Sequence, residues 1–109
     1  MYNYDILPEH MRSSVKEYVE NGTRRGDFLM AILTNNLKDS FMRADPENLV
    51  RMGDWVRFLM WELPSNAHGS PEAVKKWIKM GGLAGEARLE AKKRREERAV
   101  RYRSSGSGK

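Results

Sequence analysis

Nine lysines and arginines crowd residues 86–109, among them Arg88, Lys92, Lys93, Arg94, Arg95, Arg98 and Arg101. Ammonium and guanidinium groups at this density bind phosphates or carboxylates, so the run is the first place to look for chemistry. The same stretch holds only four glutamates, whereas residues 1–85 carry 11 basic and 11 acidic side chains. The whole net charge of +5 therefore sits in the last 24 of 109 residues. A charge-balanced body followed by a cationic extension reads as a folded module with an appended grip for something acidic or polyanionic.

The basic run admits three readings. It is a solvated helix with no specific role, a nucleic-acid contact that neutralises several phosphates, or a helix that docks in an acidic protein groove through Leu89 and Val100. Four glutamates interspersed among the cations count against phosphate binding, because they repel the same partner. Tyr102 is the only aromatic residue in the run available to stack on a base.

Catalytic chemistry finds little to work with. The two histidines, His10 and His68, fall on different predicted elements, and no cysteine is present to help either bind zinc. No HxxxH or HxxE spacing occurs. His10 belongs to a first helical turn, where a solvated or capping role is expected. His68 sits in a loop ahead of a helix, and its use with Asp54 or Glu72 in hydrolysis is the one enzymatic alternative. Ser70 has no base or elbow sequence and reads as a helix cap. Gly81-Gly82-Leu83-Ala84-Gly85 lacks both the Lys-Ser/Thr and the preceding strand of a phosphate loop, and so reads as a hinge. No enzyme activity, cofactor, metal or small-molecule substrate is expected.

Aromatic residues concentrate at Trp55, Phe58 and Trp61. Their bland role is core. The sharper one makes Phe58 or Trp61, beside Arg57, an exposed anchor for another protein, since Trp and Arg together are what interface hot spots use. The six internal methionines add adaptable surface or simple filler.

The elements that must position these residues are helical. Pro8-Glu9 opens a first helix with Met11, Val15, Tyr18 and Val19 on one stripe, stopped at Gly22. A second starts at Gly26 with Asp27 as N-cap and lines Leu29, Ile32, Leu33, Leu37 and Phe41 along its inner face. Asp45-Pro46-Glu47 opens a third, running to about Glu62 before Pro64. Being apolar nearly all round, it is expected to be central and packed on several sides. Ser70-Pro71-Glu72 opens a short fourth helix bearing Val74, Trp77 and Ile78, closed by Gly81-Gly82. No run alternates with period two, so no sheet is expected.

The predicted architecture is all-α: a compact four-helix domain over residues 6–82, then a highly charged basic helix or extension over 83–103. Residues 86–103 would reach about 27 Å as a helix. Pairs at i,i+4 such as Glu90–Arg94, Lys92–Glu96, Lys93–Glu97 and Glu97–Arg101 would each add only about a few tenths of a kcal/mol. Residues 104–109, Ser-Ser-Gly-Ser-Gly-Lys, read as a flexible linker or a remnant of cloning. The absence of cysteine suits a reducing compartment, and neither a signal peptide nor a membrane-length apolar run is present. A cytoplasmic location is the expectation.

The string Leu7-Pro8-Glu9-His10-Met11, then Tyr18, Asp27-Phe28-Leu29, Asn36-Leu37, Ala44-Asp45, Pro64, Gly69-Ser70-Pro71-Glu72 and Trp77-Ile78 resembles a class of small helical proteins encoded by bacteriophages and prophages. The likeness covers about residues 6–80 and leaves out the basic extension. It implies a phage gene product acting in a bacterial cytoplasm by binding, and inhibiting or redirecting, a host, viral or defence protein complex. It assigns no catalytic or binding residue. The leading expectation is thus a non-enzymatic interaction protein that modulates its host. The alternative is a nucleic-acid-binding accessory protein that lays its basic tail on phosphate backbone. The sequence does not disclose the oligomeric state.

Overall fold

The computed structural model describes the backbone of residues 2–107 and the side chains of residues 2–101; over that span it contains seven α-helices, two short 3-10 turns and no strand. The all-α expectation holds. The count of four compact helices does not, because two of the expected helices are each broken in two.

A 3-10 turn over Tyr4–Ile6 delivers Leu7 and Pro8 into the interior, and α1 follows over Glu9–Asn21. Its apolar stripe buries Val15, Tyr18 and Val19. Gly22 ends it in the left-handed region (φ 68°), with the Gly22 amide donating to the Tyr18 carbonyl and the Thr23 amide to the Glu17 carbonyl.

The second expected helix divides at Thr34–Asn36 into α2 (Asp27–Leu33) and α3 (Leu37–Arg43). Gly26, not Asp27, takes the N-cap position of α2. Three polar residues make the break. The Thr34 hydroxyl donates back to the Met30 and Ala31 carbonyls, Asn35 turns left-handed (φ 64°), and the Asn36 side chain accepts from the Asp39 amide to start α3. Helix α2 is buried from Phe28 to Leu33, but the change of direction leaves Leu37 and Phe41 exposed rather than inward.

The third expected helix divides at Arg51 into α4 (Pro46–Val50) and α5 (Met52–Trp61). Asp45 caps α4 as expected, accepting from the Asn48 amide. Buried Asn48 then accepts from the Trp55 indole N–H at 3.1 Å, which joins the two pieces. Helix α5 is not surrounded. It buries Met52, Trp55, Phe58 and Leu59 and turns Val56, Met60 and Trp61 to solvent.

A 3-10 turn over Ser65–Ala67 leads to α6 (Pro71–Met80), capped by the Ser70 side chain accepting from the Ala73 amide. Tyr18 organises this quarter: its hydroxyl donates to the Ala67 carbonyl at 2.6 Å, and its own carbonyl accepts from the Trp77 indole N–H at 3.0 Å. Phe28 meets Trp55 edge-on, and Tyr4 leans on Phe58. Four large aromatic side chains, Tyr18, Trp55, Phe58 and Trp77, are wholly enclosed and dominate the core.

Helix α7 spans Gly82–Ser107. Its first turn is part of the globule: Gly82 and Gly85 are buried, and Leu83 packs against the core beside α1. Beyond it every residue from Glu86 to Arg101 is exposed, and the molecule measures 70 × 25 × 19 Å. The glycine run read as a hinge is a filled corner, in which Gly81 closes α6 and Gly82 opens α7, both at positive φ. The helix backbone continues through residues 104–107, read above as linker; residues 108–109 lie outside the described residues.

Candidate interaction surfaces

His10 Nε2 lies 2.8 Å from Asp45 Oδ2 and His10 Nδ1 lies 3.1 Å from Glu47 Oε1, so the ring ties the start of α1 to the start of α4. The Asn48 amide and then His10 hold the Asp45 carboxyl below its usual range. Burial pushes the His68 imidazole below its ordinary value, opposed by a hydrogen bond with the Leu59 backbone. Asp54, one of the two carboxylates weighed as a partner for His68, is bound by Arg51 at 3.0 Å and Arg57 at 2.9 Å. Among the described residues no cluster of three His, Asp or Glu side chains could hold a metal ion.

A cleft of about 530 Å³ opens between α2, α3 and α6 over Ala31, Val74 and Ile78. On its rim Arg43 pairs with Asp27 at 3.3 Å. Thr34, the hydroxyl on its wall, is engaged with backbone carbonyls.

The surface is more informative. Eight of the ten large hydrophobic residues exposed among the described residues fall between Leu37 and Trp61. Leu37, Val56 and Met60 flank a groove floored by Ile32, Met52 and Leu59, with His68 and Gly69 at one end. Continuing around α5 from Met60, the next exposed side chains are Arg57 and Trp61, the latter 77% exposed. Two of the three anchor candidates are therefore at the surface. The third, Phe58, is not: it is 0% exposed, sealed against Tyr4 in the core, and cannot touch a partner. Val56 and Met60, on the helix expected to be packed on several sides, and Leu37, expected on an inner face, join Trp61 on this surface. Only the break at Asn35–Asn36 and the one-sided burial of α5 reveal them.

All seven basic candidates, Arg88, Lys92, Lys93, Arg94, Arg95, Arg98 and Arg101, stand in solvent on α7. Arg88 is at the root, its Nη2 3.0 Å from where a Cβ on Gly81 would stand. The ion pairs present among the described residues lie between Asp5 and Arg57, and none of the expected i,i+4 pairs of α7 closes. At about 100° per residue, Arg88, Lys92, Arg94, Arg95, Arg98 and Arg101 share one half of the helix circumference with Ala87, Ala91 and Ala99. Glu86, Glu90, Glu96 and Glu97 all fall on the other half, with Leu89, Val100 and Lys93. Glutamates interspersed along the sequence are thus segregated in space, a separation that follows once the whole run is one helix. The side chains of Tyr102 and Arg103 lie outside those described.

Among the described residues no helix is long and apolar enough to cross a membrane. No family model, no curated protein and no solved structure matches the chain.

Proposed function

We propose that this chain is a non-enzymatic interaction protein that holds a partner protein on the apolar surface of α3 and α5. The observation that supports it is the set Leu37, Val56, Met60 and Trp61, exposed by 71, 49, 65 and 77% on a domain whose core is otherwise filled. A clustered apolar surface of this kind marks interaction sites on small soluble domains. Burying each such side chain is worth up to about 1.5–3 kcal/mol, and Trp61 beside Arg57 supplies the residue pair that hot spots favour. The groove between Leu37 and Met60 suits an amphipathic helix of the partner, seated through apolar residues three and four apart. On this reading the partner belongs to a host, viral or defence complex in a bacterial cytoplasm, which binding would inhibit or redirect.

Affinity capture from nuclease-treated bacterial lysate tests this reading with the 109-residue chain and three variants. The parent and a Val50→Asp control, altered on exposed α4, should retain a stoichiometric protein partner. Met60→Asp and Trp61→Ala should lose it. Retention by all four, loss on nuclease treatment alone, or a partner that proves to be a second copy of the chain would overturn it.

A further inference from the structure

We infer that α7 is a duplex-DNA-binding helix whose cationic half lies against the phosphate backbone in the major groove, a role separate from protein binding on α3 and α5. Three observations carry it. The first is projection: every residue from Glu86 to Arg101 is exposed, with Arg88, Leu89 and Lys92 at the root bordering Lys79 and Met80 of α6, so most of the helix is open to a partner. An α-helix about 10–12 Å across fits the major groove of B-form DNA, which is about 12 Å wide.

The second is the division of charge. Arg88, Lys92, Arg94, Arg95, Arg98 and Arg101 cover about half the circumference with no carboxylate among them. Seated in a groove, an arc that broad meets the phosphates of both flanking strands, while Glu86, Glu90 and Glu97 face away into solvent. A narrower basic stripe would serve a single acidic peptide; this one serves two rows of charge.

The third is what the cationic half lacks. Its only uncharged described residues are Ala87, Ala91 and Ala99. Alanine allows close approach but offers little apolar area, so a protein groove would gain little by burying this face, whereas phosphate contacts require none. Leu89 and Val100, the side chains a protein would bury, lie on the glutamate half. Double-stranded RNA is disfavoured by shape, because its A-form major groove is too deep and narrow to admit the helix.

Fluorescence anisotropy with the 109-residue chain and a labelled duplex of about 20 base pairs tests the assignment, read between about 50 and 200 mM salt. A triple variant, Arg94→Ala/Arg95→Ala/Arg98→Ala, should bind at least about tenfold more weakly and lower the magnitude of the log–log salt slope by about 2 to 3. Lys93→Ala, which removes a cation from the glutamate half, should stay within about twofold of the parent, and Glu90→Gln/Glu97→Gln should not weaken binding. All substituted side chains are exposed, and circular dichroism confirms that each variant keeps its helix. Absence of duplex binding at low salt would overturn the assignment. So would equal losses from the triple variant and Lys93→Ala, or equal affinity for single-stranded DNA or duplex RNA of the same length.

Discussion

Gly22 and Gly82 meet backbone to backbone: a Cβ on Gly82 would stand 2.5 Å from the Gly22 amide nitrogen and 2.7 Å from the Val19 carbonyl oxygen. This approach roots α7 against the end of α1, and Gly82 also adopts a left-handed φ of 66°. Gly82→Ala therefore combines a backbone collision with conformational strain and should destabilise the domain by at least about 2 kcal/mol. Gly53→Ala, on the exposed side of α5 where a Cβ meets nothing within 4 Å, should instead stabilise slightly, by up to about 1 kcal/mol. Urea midpoints of the two variants check the contrast.

Phe58 and Trp61 differ as sharply, though both are large aromatics one helical turn apart. Phe58→Ala should cost about 3–5 kcal/mol, since it empties a fully enclosed site. Trp61→Ala should change stability by no more than about 0.5 kcal/mol. Chemical denaturation of each variant, set beside its partner binding, separates folding from recognition.

Tyr4 and Tyr18 make a second contrast. Burial raises both phenols, Tyr4 to about 12 with a further push from Glu20. Only Tyr18 spends its hydroxyl on a partner, the Ala67 carbonyl, whereas the buried Tyr4 hydroxyl has none. Tyr18→Phe should cost about 1–3 kcal/mol, leaving that carbonyl unpaired, while Tyr4→Phe should be neutral or stabilising. Thermal unfolding of the two variants decides it.

Acidification should weaken the fold in two stages. The folded His68 imidazole titrates below its ordinary 6.5, so the unfolded chain takes up its proton first. Its contribution is complete above that value and is lost as pH falls through the lower folded value. Asp45, also lowered, contributes above the ordinary carboxylate value of 3.8 and loses that contribution at still more acid pH. His68→Gln should flatten the upper stage of a melting-temperature profile against pH. Asp45→Asn, which keeps a capping oxygen, should flatten the lower one.

The helix starts at Asp45 and Ser70 and the stop at Gly22 were legible because capping is local: a side-chain oxygen or a left-handed glycine acts within a few residues. The breaks were hidden for the opposite reason. Thr34, Asn35 and Asn36 each tolerate a helix individually, and only their joint hydrogen bonding turns α2 into α3. The apolar surface of α3 and α5 was unreadable in consequence, since inward and outward apolar residues share the same spacing until direction is known. On α7 the basic residues could be picked out from composition alone, but the segregation of Glu86, Glu90, Glu96 and Glu97 from most of them depends on unbroken helical phase from Gly82 onward.

Because main-chain contacts at Gly22, Gly82 and Gly85, with Leu83 on the core, do the anchoring, exposed positions beyond Lys92 owe the domain nothing except remaining helical. A library of helix-forming residues over 93–101 would leave the body's melting temperature nearly untouched. Drift in this segment would retune what the molecule grips without risking collapse, which makes the projecting arm the natural place for new specificity to arise.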